Sequence, residues 1–313
     1  MKALLFESNK LGIKEINLPK RKKGEVTIKV IIAGLCHTDR ALINGYKNFS
    51  GVLGHEFVGR IIDADSKDII GKKVVADINI PCKKCNMCKK GKFHHCINRK
   101  TIGISNFQGV FAEMIQIPED NIVFVPENLD DEIAVFAEPF AAALQIQDQI
   151  HIKSSSKIAI FGDGKLGQMI IRALSLTGAE CTIIGKHKGK LEKAKKFGKT
   201  MLLKELNKDL MFDIVVDATG RKEGFDMALK HLIPGGVLAL KTTTEGFDDF
   251  KLSDIVVNEY TILGSRCGDI KTAIRLLNIY DFNLKELIDG IEPLENFEKV
   301  FNHKGMKILF KIE

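Results

Sequence analysis

The sequence contains no apolar stretch long enough to cross a bilayer. Its longest apolar runs, such as Ile158 to Phe161 and Val237 to Leu240, fall far short of the roughly 18 residues that a membrane span needs. A secretory signal is also missing, since the opening MKALLF leads straight into charged, strand-like sequence without a long apolar core or a small-residue cleavage site. The expected location is the cytoplasm, with no membrane partner. Internal repeats and low-complexity linkers are lacking too, so domains sharing a close interface are expected in place of tethered ones. No tract of like charge stands out. Lys plus Arg number 47 against 40 Asp plus Glu, a net charge of +7, but the lysines are spread along the chain, which gives little sign of a nucleic-acid partner and could equally steer an anionic cofactor. With 45% apolar and 28% charged residues, neither disorder nor a fibrous repeat fits. A length of 313 residues exceeds what one hydrophobic core usually supports and suggests about two domains.

What is present changes in texture along the chain. Up to about Ile117, short β-like runs (Val26 to Ile32, Phe57 to Ile62, Lys73 to Asp77, Gly109 to Ile117) are cut by Gly, Pro and Asn, the pattern of an irregular, mostly β domain over 1–130. From about Asp131 a helical spacing runs through Ile133 to Gln149, and strand-like and helix-like segments then alternate to Gly264. Near-continuous apolar strands alternating with helices imply a parallel sheet covered on both faces, a doubly wound α/β domain over 131–264. The segment 265–313 adds one helix, about Ile270 to Asn278, and a closing strand, Lys307 to Lys311, that could return to the first domain. Gly235 to Leu240 is read as a strand that could stand at an edge and pair across subunits.

Within FGDGKLG, Gly162, Gly164 and Gly167 form a GxGxxG directly after a strand and at the start of a helix. The glycines permit the tight turn, the close approach of backbone to pyrophosphate and the helix packing, while the helix N-terminus supplies amide donors. Lys165 and Leu166 complete this turn, for which a merely structural role is the alternative. A carboxylate at the end of the second strand would bind the ribose 2′-hydroxyl and repel a 2′-phosphate. There the sequence reads Gly185, Lys186, His187, Lys188: no acid, and bases that suit a phosphate, unless they are only a solvated loop. NADP(H) is the expected cofactor, with NAD(H) possible.

Four of the seven cysteines, Cys82, Cys85, Cys88 and Cys96, lie within fifteen residues with gaps of two, two and seven, enough to wrap one tetrahedral ion in a lobe over about 80–97. Four thiolates leave no position for substrate, so the expected ion is a structural zinc, with Lys83, Lys84, Lys89, Lys90 and Lys92 placed to offset its excess negative charge. An iron–sulfur cluster or redox thiols are the rivals; the spacing is not that of the bacterial ferredoxin run, and Ile97 stands where its proline would be. Cys36 in GLCHTD, His55 and Glu56 in GHE, and Glu138 in AEPF supply a thiolate, an imidazole and carboxylates, a plausible ligand set for a catalytic zinc with an exchangeable position. Singly, each reads as an ordinary core or surface residue.

Taken in order, GLCHTD, GHEFVG, the four-cysteine lobe, AEPF, GDGKLG, DATG, PGG and GSR resemble the zinc-dependent medium-chain dehydrogenases over nearly the whole chain. The resemblance implies a GroES-like irregular β catalytic domain plus a Rossmann domain, and two zinc ions per chain. It places Cys36 and His55 as catalytic zinc ligands, with Glu56 and Glu138 as acidic groups that ligate or hold a zinc-bound water. Glutamate in place of cysteine at the last ligand position is similar to the polyol, sugar and threonine dehydrogenase branch. Thr38 falls at the hydroxyl position that carries the substrate proton outward, an N-cap for the helix from Arg40 being its alternative role. Asp39 matches the acid that orients His55, and His37 the basic residue near the pyrophosphate. Thr242, in the run Thr242 to Thr244, and Arg266 match cofactor-contacting positions. Ala41 departs from members that carry a relay histidine there, and the chain is shorter than is usual for the family. The implied activity is hydride transfer between an alcohol or polyol, or the matching carbonyl compound, and NADP(H), in a homodimer or homotetramer acting in the cleft between the domains. The alternatives are an NADPH-dependent reductase of a ring-bearing or carbonyl metabolite, and a non-catalytic cofactor- or nucleic-acid-binding module.

Overall fold

Glu25–Gly34 is apolar over most of its length and buried on both faces. In the computed structural model, which describes residues 1–241 and 252–313, it organises the sheet of the first unit. It pairs antiparallel along one edge with Glu56–Asp63, and along the other with Met114–Pro118 and Lys307–Lys311. Gly34 is thereby flanked by Glu56 on one side and Leu309 on the other. The closing strand also pairs in parallel with Ile288–Pro293. By contacts the chain divides into Met1–Glu138 with Ile270–Glu313, and Pro139–Asp269.

In the second unit six parallel strands stand in the order Lys199–Leu202, Glu180–Gly185, Lys157–Phe161, Phe212–Asp217, Leu232–Leu240, Thr261–Gly264. Numbered along the chain this is 3-2-1-4-5-6, the doubly wound order whose reversal at the first strand marks the nucleotide site. Phe161, Ile184, Phe212, Val215, Phe225 and Leu238 pack its core. The chain is thus the mixed architecture expected, a GroES-like β unit and a Rossmann unit.

Three local expectations change. Gly235 to Leu240 is not an edge: its strand is held between Phe212–Asp217 and Thr261–Gly264, so it has no free ladder to offer a second subunit. The helical stretch from Ile133 breaks into Asp131–Ala134 and Ala137–Gln149, because Pro139 has no N–H to return to the Val135 carbonyl and is tolerated only in the first turn of a new helix. Thr38 is not an N-cap. The helix His37–Ile43 is capped by Cys36, which leaves Thr38 inside its first turn.

Candidate functional site

Cys36 sits where the strand Glu25–Gly34 turns into the helix His37–Ile43, and His55 and Glu56 open the neighbouring strand. The pairing of Gly34 with Glu56 therefore brings these residues together: one ligand atom from each of Cys36, His55 and Glu56 lies within 4.8 Å of the others. Glu138, half-buried in the first turn of Ala137–Gln149, is not in that group. Asp39 is fully buried and braces the cluster. Its Oδ2 accepts the Cys36 amide at 2.8 Å, its Oδ1 accepts the Gly54 amide at 3.2 Å, and the same Oδ1 lies 3.3 Å from His55 Nδ1. The last contact is too poorly angled to satisfy the imidazole, so Nδ1 is a buried polar atom without a hydrogen bond. Gly54 adopts φ +92°, and a Cβ there would lie 2.5 Å from the Phe111 ring, so only glycine lets this amide reach Asp39. Thr38 Oγ1 is 3.7 Å from Cys36 Sγ.

Burial alone would push the Cys36 thiol up, yet His55 and Lys307 outweigh that and hold it below its ordinary value. Desolvation likewise favours a neutral His55, but Asp39 and Cys36 raise the imidazole well above its usual range. Both shifts favour the charged forms, and a metal ion bound between the two groups would displace the imidazole proton.

The sequence reading missed Lys307. Its ammonium donates to Glu56 in a contact between two side chains only 4% and 2% exposed, and it reaches the Leu35 carbonyl at 3.4 Å. Desolvation pushes this lysine down to about 8, against the upward pull of Cys36 and Asp39. Gly34 makes the pairing possible, since a Cβ there would lie 2.7 Å from both Glu56 Oε2 and Lys307 Cε. Cys36, Asp39 and Glu56 are the acidic groups of the pocket, and Lys307 is the amine set against them. The mixed sulfur, nitrogen and oxygen donor set suits a divalent cation.

The four clustered cysteines are unbridged and offer sulfurs within 4.8 Å of one another. Cys85 Sγ is 3.5 Å from Cys88 Sγ and 3.8 Å from Cys96 Sγ. Sulfurs around one tetrahedral zinc, each bonded at about 2.3 Å, stand about 3.8 Å apart, whereas disulfide sulfurs stand about 2.05 Å apart. The Lys84 amide leads the groups that lower the Cys82 thiol to about 6, while burial pushes Cys88 up to about 12. Of the flanking lysines, Lys83 turns to Asp120.

In the second unit, the glycine turn follows the strand Lys157–Phe161 and opens the helix Lys165–Leu174, with Gly164 as its N-cap. Gly162 has φ +115°, and a Cβ on it would lie 2.7 Å from the Ala218 carbonyl; one on Gly167 would lie 1.8 Å from the Gly162 carbonyl. These two glycines are required by packing. Gly164 is not: a Cβ there meets nothing within 4 Å, so the helix entrance is open to a ligand. Lys165 and Leu166 are half-buried, Lys186, His187 and Lys188 exposed, and Arg266 exposed beyond Thr261–Gly264. Thr242, with Thr243 and Thr244, lies outside the described residues. One carboxylate does reach the end of the second strand: Asp163, from inside the glycine turn, accepts the His187 amide at 2.7 Å.

Residues 22–127 match the model of the alcohol dehydrogenase GroES-like domain, and residues 166–280 match that of zinc-binding dehydrogenases. D-xylulose reductase A of Aspergillus oryzae is 28% identical over 284 residues, 82% of this chain and 79% of that protein. Galactitol-1-phosphate dehydrogenase of Escherichia coli superposes with a TM-score of 0.91 at 25% identity, covering 100% of both chains. A Sinorhizobium meliloti protein solved with NADP bound superposes with a TM-score of 0.90 at 25% identity over 99% of each chain. Among the described residues no helix is long and apolar enough to cross a membrane.

Proposed function

Because the chain belongs to the zinc-dependent medium-chain dehydrogenases, we propose that it transfers a hydride between an alcohol or polyol, or the matching carbonyl compound, and NADP(H), using one catalytic and one structural zinc. The observation that carries this reading is the convergence of Cys36, His55 and Glu56 within 4.8 Å, a sulfur, nitrogen and oxygen donor set that suits a divalent cation. The polyol class draws support from relatives named as a xylulose reductase and a galactitol-phosphate dehydrogenase, and NADP from Lys186, His187 and Lys188 and from the NADP-bound neighbour.

Cys36, His55 and Glu56 would hold the catalytic ion, with Glu138 as a further carboxylate, and Cys82, Cys85, Cys88 and Cys96 the structural one. When bound, zinc supplies a Lewis acid for the substrate oxygen and the nicotinamide an acceptor or donor of hydride. Asp39 holds the Cys36 and Gly54 amides and stands 3.3 Å from His55 Nδ1, placed to orient the ring as a ligand. Thr38, whose hydroxyl stands beside Cys36 Sγ, takes the proton of the substrate hydroxyl and passes it outward. Ala41 has no polar side-chain atom to extend that relay, so the proton passes to water or another group. Lys307 donates to Glu56 and sets a positive charge beside that carboxylate. Gly162, Gly164 and Gly167, with the amides at Lys165 and Leu166, receive the pyrophosphate at the N-terminus of Lys165–Leu174, while Thr242 serves the nicotinamide end and Arg266 makes a further cofactor contact.

Zinc content per chain, measured beside NADPH oxidation with a panel of ketoses and aldehydes, tests the reading. Cys36→Ala should lose about one zinc and all turnover, and Cys88→Ser about one zinc of the other kind. Unchanged metal content in Cys36→Ala would remove the catalytic site from Cys36, His55 and Glu56.

A further inference from the structure

An acid inside the phosphate-binding turn is unfavourable on its own, because its charge opposes the pyrophosphate that the turn would receive. Asp163 occupies that place, and the structure shows how its charge is used. Its side chain is 9% exposed, its Oδ2 accepts the His187 amide at 2.7 Å, and both of its oxygens lie 3.1 Å from His187 Nδ1. The carboxylate fills the space beside Gly185, the last residue of the second strand, where a Cβ would stand 2.3 Å from Oδ2. A turn residue thus places its carboxylate beside the strand end that in dinucleotide sites carries the residue reading the ribose 2′-position, but both of its oxygens are taken up by the His187 amide and ring, so His187 and not the acid is the group presented there.

A carboxylate can only accept, so the proton in this contact belongs to His187 Nδ1 and the other ring nitrogen, Nε2, is left unused by Asp163. The His187 side chain is 60% exposed and stands between the exposed Lys186 and Lys188. Its loop is also braced from the adjoining helix: buried Gln168 donates to the Lys190 carbonyl at 2.8 Å, and buried Arg172 to the Lys193 carbonyl at 2.8 Å. The ring therefore has a fixed base and an outward nitrogen.

We infer that Asp163 is the positioning residue for cofactor choice, holding His187 so that Nε2 faces the 2′-substituent of the adenine ribose, where the imidazolium form, with both ring nitrogens protonated, donates to a 2′-phosphate. This rests on the NADP reading above and assigns it to an acid within the glycine turn, paired with the histidine that replaces the usual strand-end acid.

The test is a set of binding titrations on the zinc-loaded protein that need no turnover: NADPH and NADH by nucleotide fluorescence, and 2′,5′-ADP against 5′-AMP by calorimetry. Wild type should favour the 2′-phosphorylated member of each pair. His187→Ala and Asp163→Asn should each cut that preference about tenfold, the value of one hydrogen bond to a charged group, with NADH affinity nearly unchanged and the double variant no worse than His187→Ala. An Asp163→Asn protein that weakens all four nucleotides equally, or keeps the wild-type ratio, overturns the inference and leaves Asp163 a brace of the turn. If Asp163→Asn does not fold, His187→Ala, which keeps the backbone N–H that Asp163 accepts, decides: an unchanged ratio overturns the inference. Absence of any 2′-phosphate preference in wild type instead overturns the NADP reading, and the inference with it.

Discussion

Replacing Lys307 by methionine keeps the aliphatic stem that runs past Gly34 and removes only the charge. What is left is the Glu56 carboxylate, 2% exposed, without its cation. Breaking one side of a buried pair costs about 3–5 kcal/mol, most of it the penalty of an uncompensated charge. Glu56→Gln in the Lys307→Met background removes that charge as well, and should recover most of the loss, for a coupling of about 2 kcal/mol or more. The chain has no tryptophan, so urea unfolding is best followed by circular dichroism, together with amide exchange of Leu309 and Phe310 in the strand that carries Lys307. In chelator-treated protein the full penalty should appear. In zinc-loaded protein it should shrink, because a dication held by Cys36, His55 and Glu56 replaces part of the missing positive charge. A Lys307→Met protein within about 1 kcal/mol of wild type under both conditions would refute the argument, since a mispaired buried carboxylate cannot be that cheap.

Three further outcomes follow from the geometry. Gly34→Ala pushes a Cβ to 2.7 Å from Glu56 Oε2 and Lys307 Cε and should cost about 1–3 kcal/mol by overpacking, read as a lower urea midpoint. Asp77 is hydrogen-bonded by His94 at 2.9 Å and by the Asn79 amide at 2.8 Å; against its desolvation these bonds hold its carboxyl below the ordinary 3.8. A lowered acid stabilises the folded state at pH values above its unfolded value and loses that contribution as pH falls through the folded one, so Asp77→Asn should lower stability by about 1 kcal/mol at neutral pH and flatten the acid limb of the stability curve. Gly164→Ala adds a Cβ that meets nothing within 4 Å and should leave the melting temperature near that of wild type while weakening NADPH binding about tenfold, whereas Gly167→Ala, 1.8 Å from the Gly162 carbonyl, should lower the melting temperature itself.

The parts of the molecule that could be read from the sequence are those whose chemistry is local or whose residue types are rare. The glycine turn announces itself between an apolar strand and a helix, and four cysteines in fifteen residues admit few uses. Cys36, His55 and Glu56 are readable because a thiol, an imidazole and a carboxylate near strand ends form a known kind of ligand set. Lys307 was not readable, for a physical reason: Lys307, Ile308, Leu309 and Phe310 are all buried, so the strand has no period-2 alternation to mark which side chains face inward, and a lysine in such a run looks like an exposed edge. Its burial depends on the register that places Leu309 opposite Gly34 and on a partner 251 residues away. Asp163 escaped differently. The acid that reads a ribose ordinarily ends the second strand, here Gly185 to Lys188, whereas Asp163 comes from the first strand's turn, 24 residues before His187, across the parallel pairing of Phe161 with Ile184. Sequence periodicity specifies elements, and pairing register then decides which charges meet. Both missed groups are charges whose partners are supplied by register, and in both cases the signal was a glycine, Gly34 or Gly185, left without a side chain where the pair had to form.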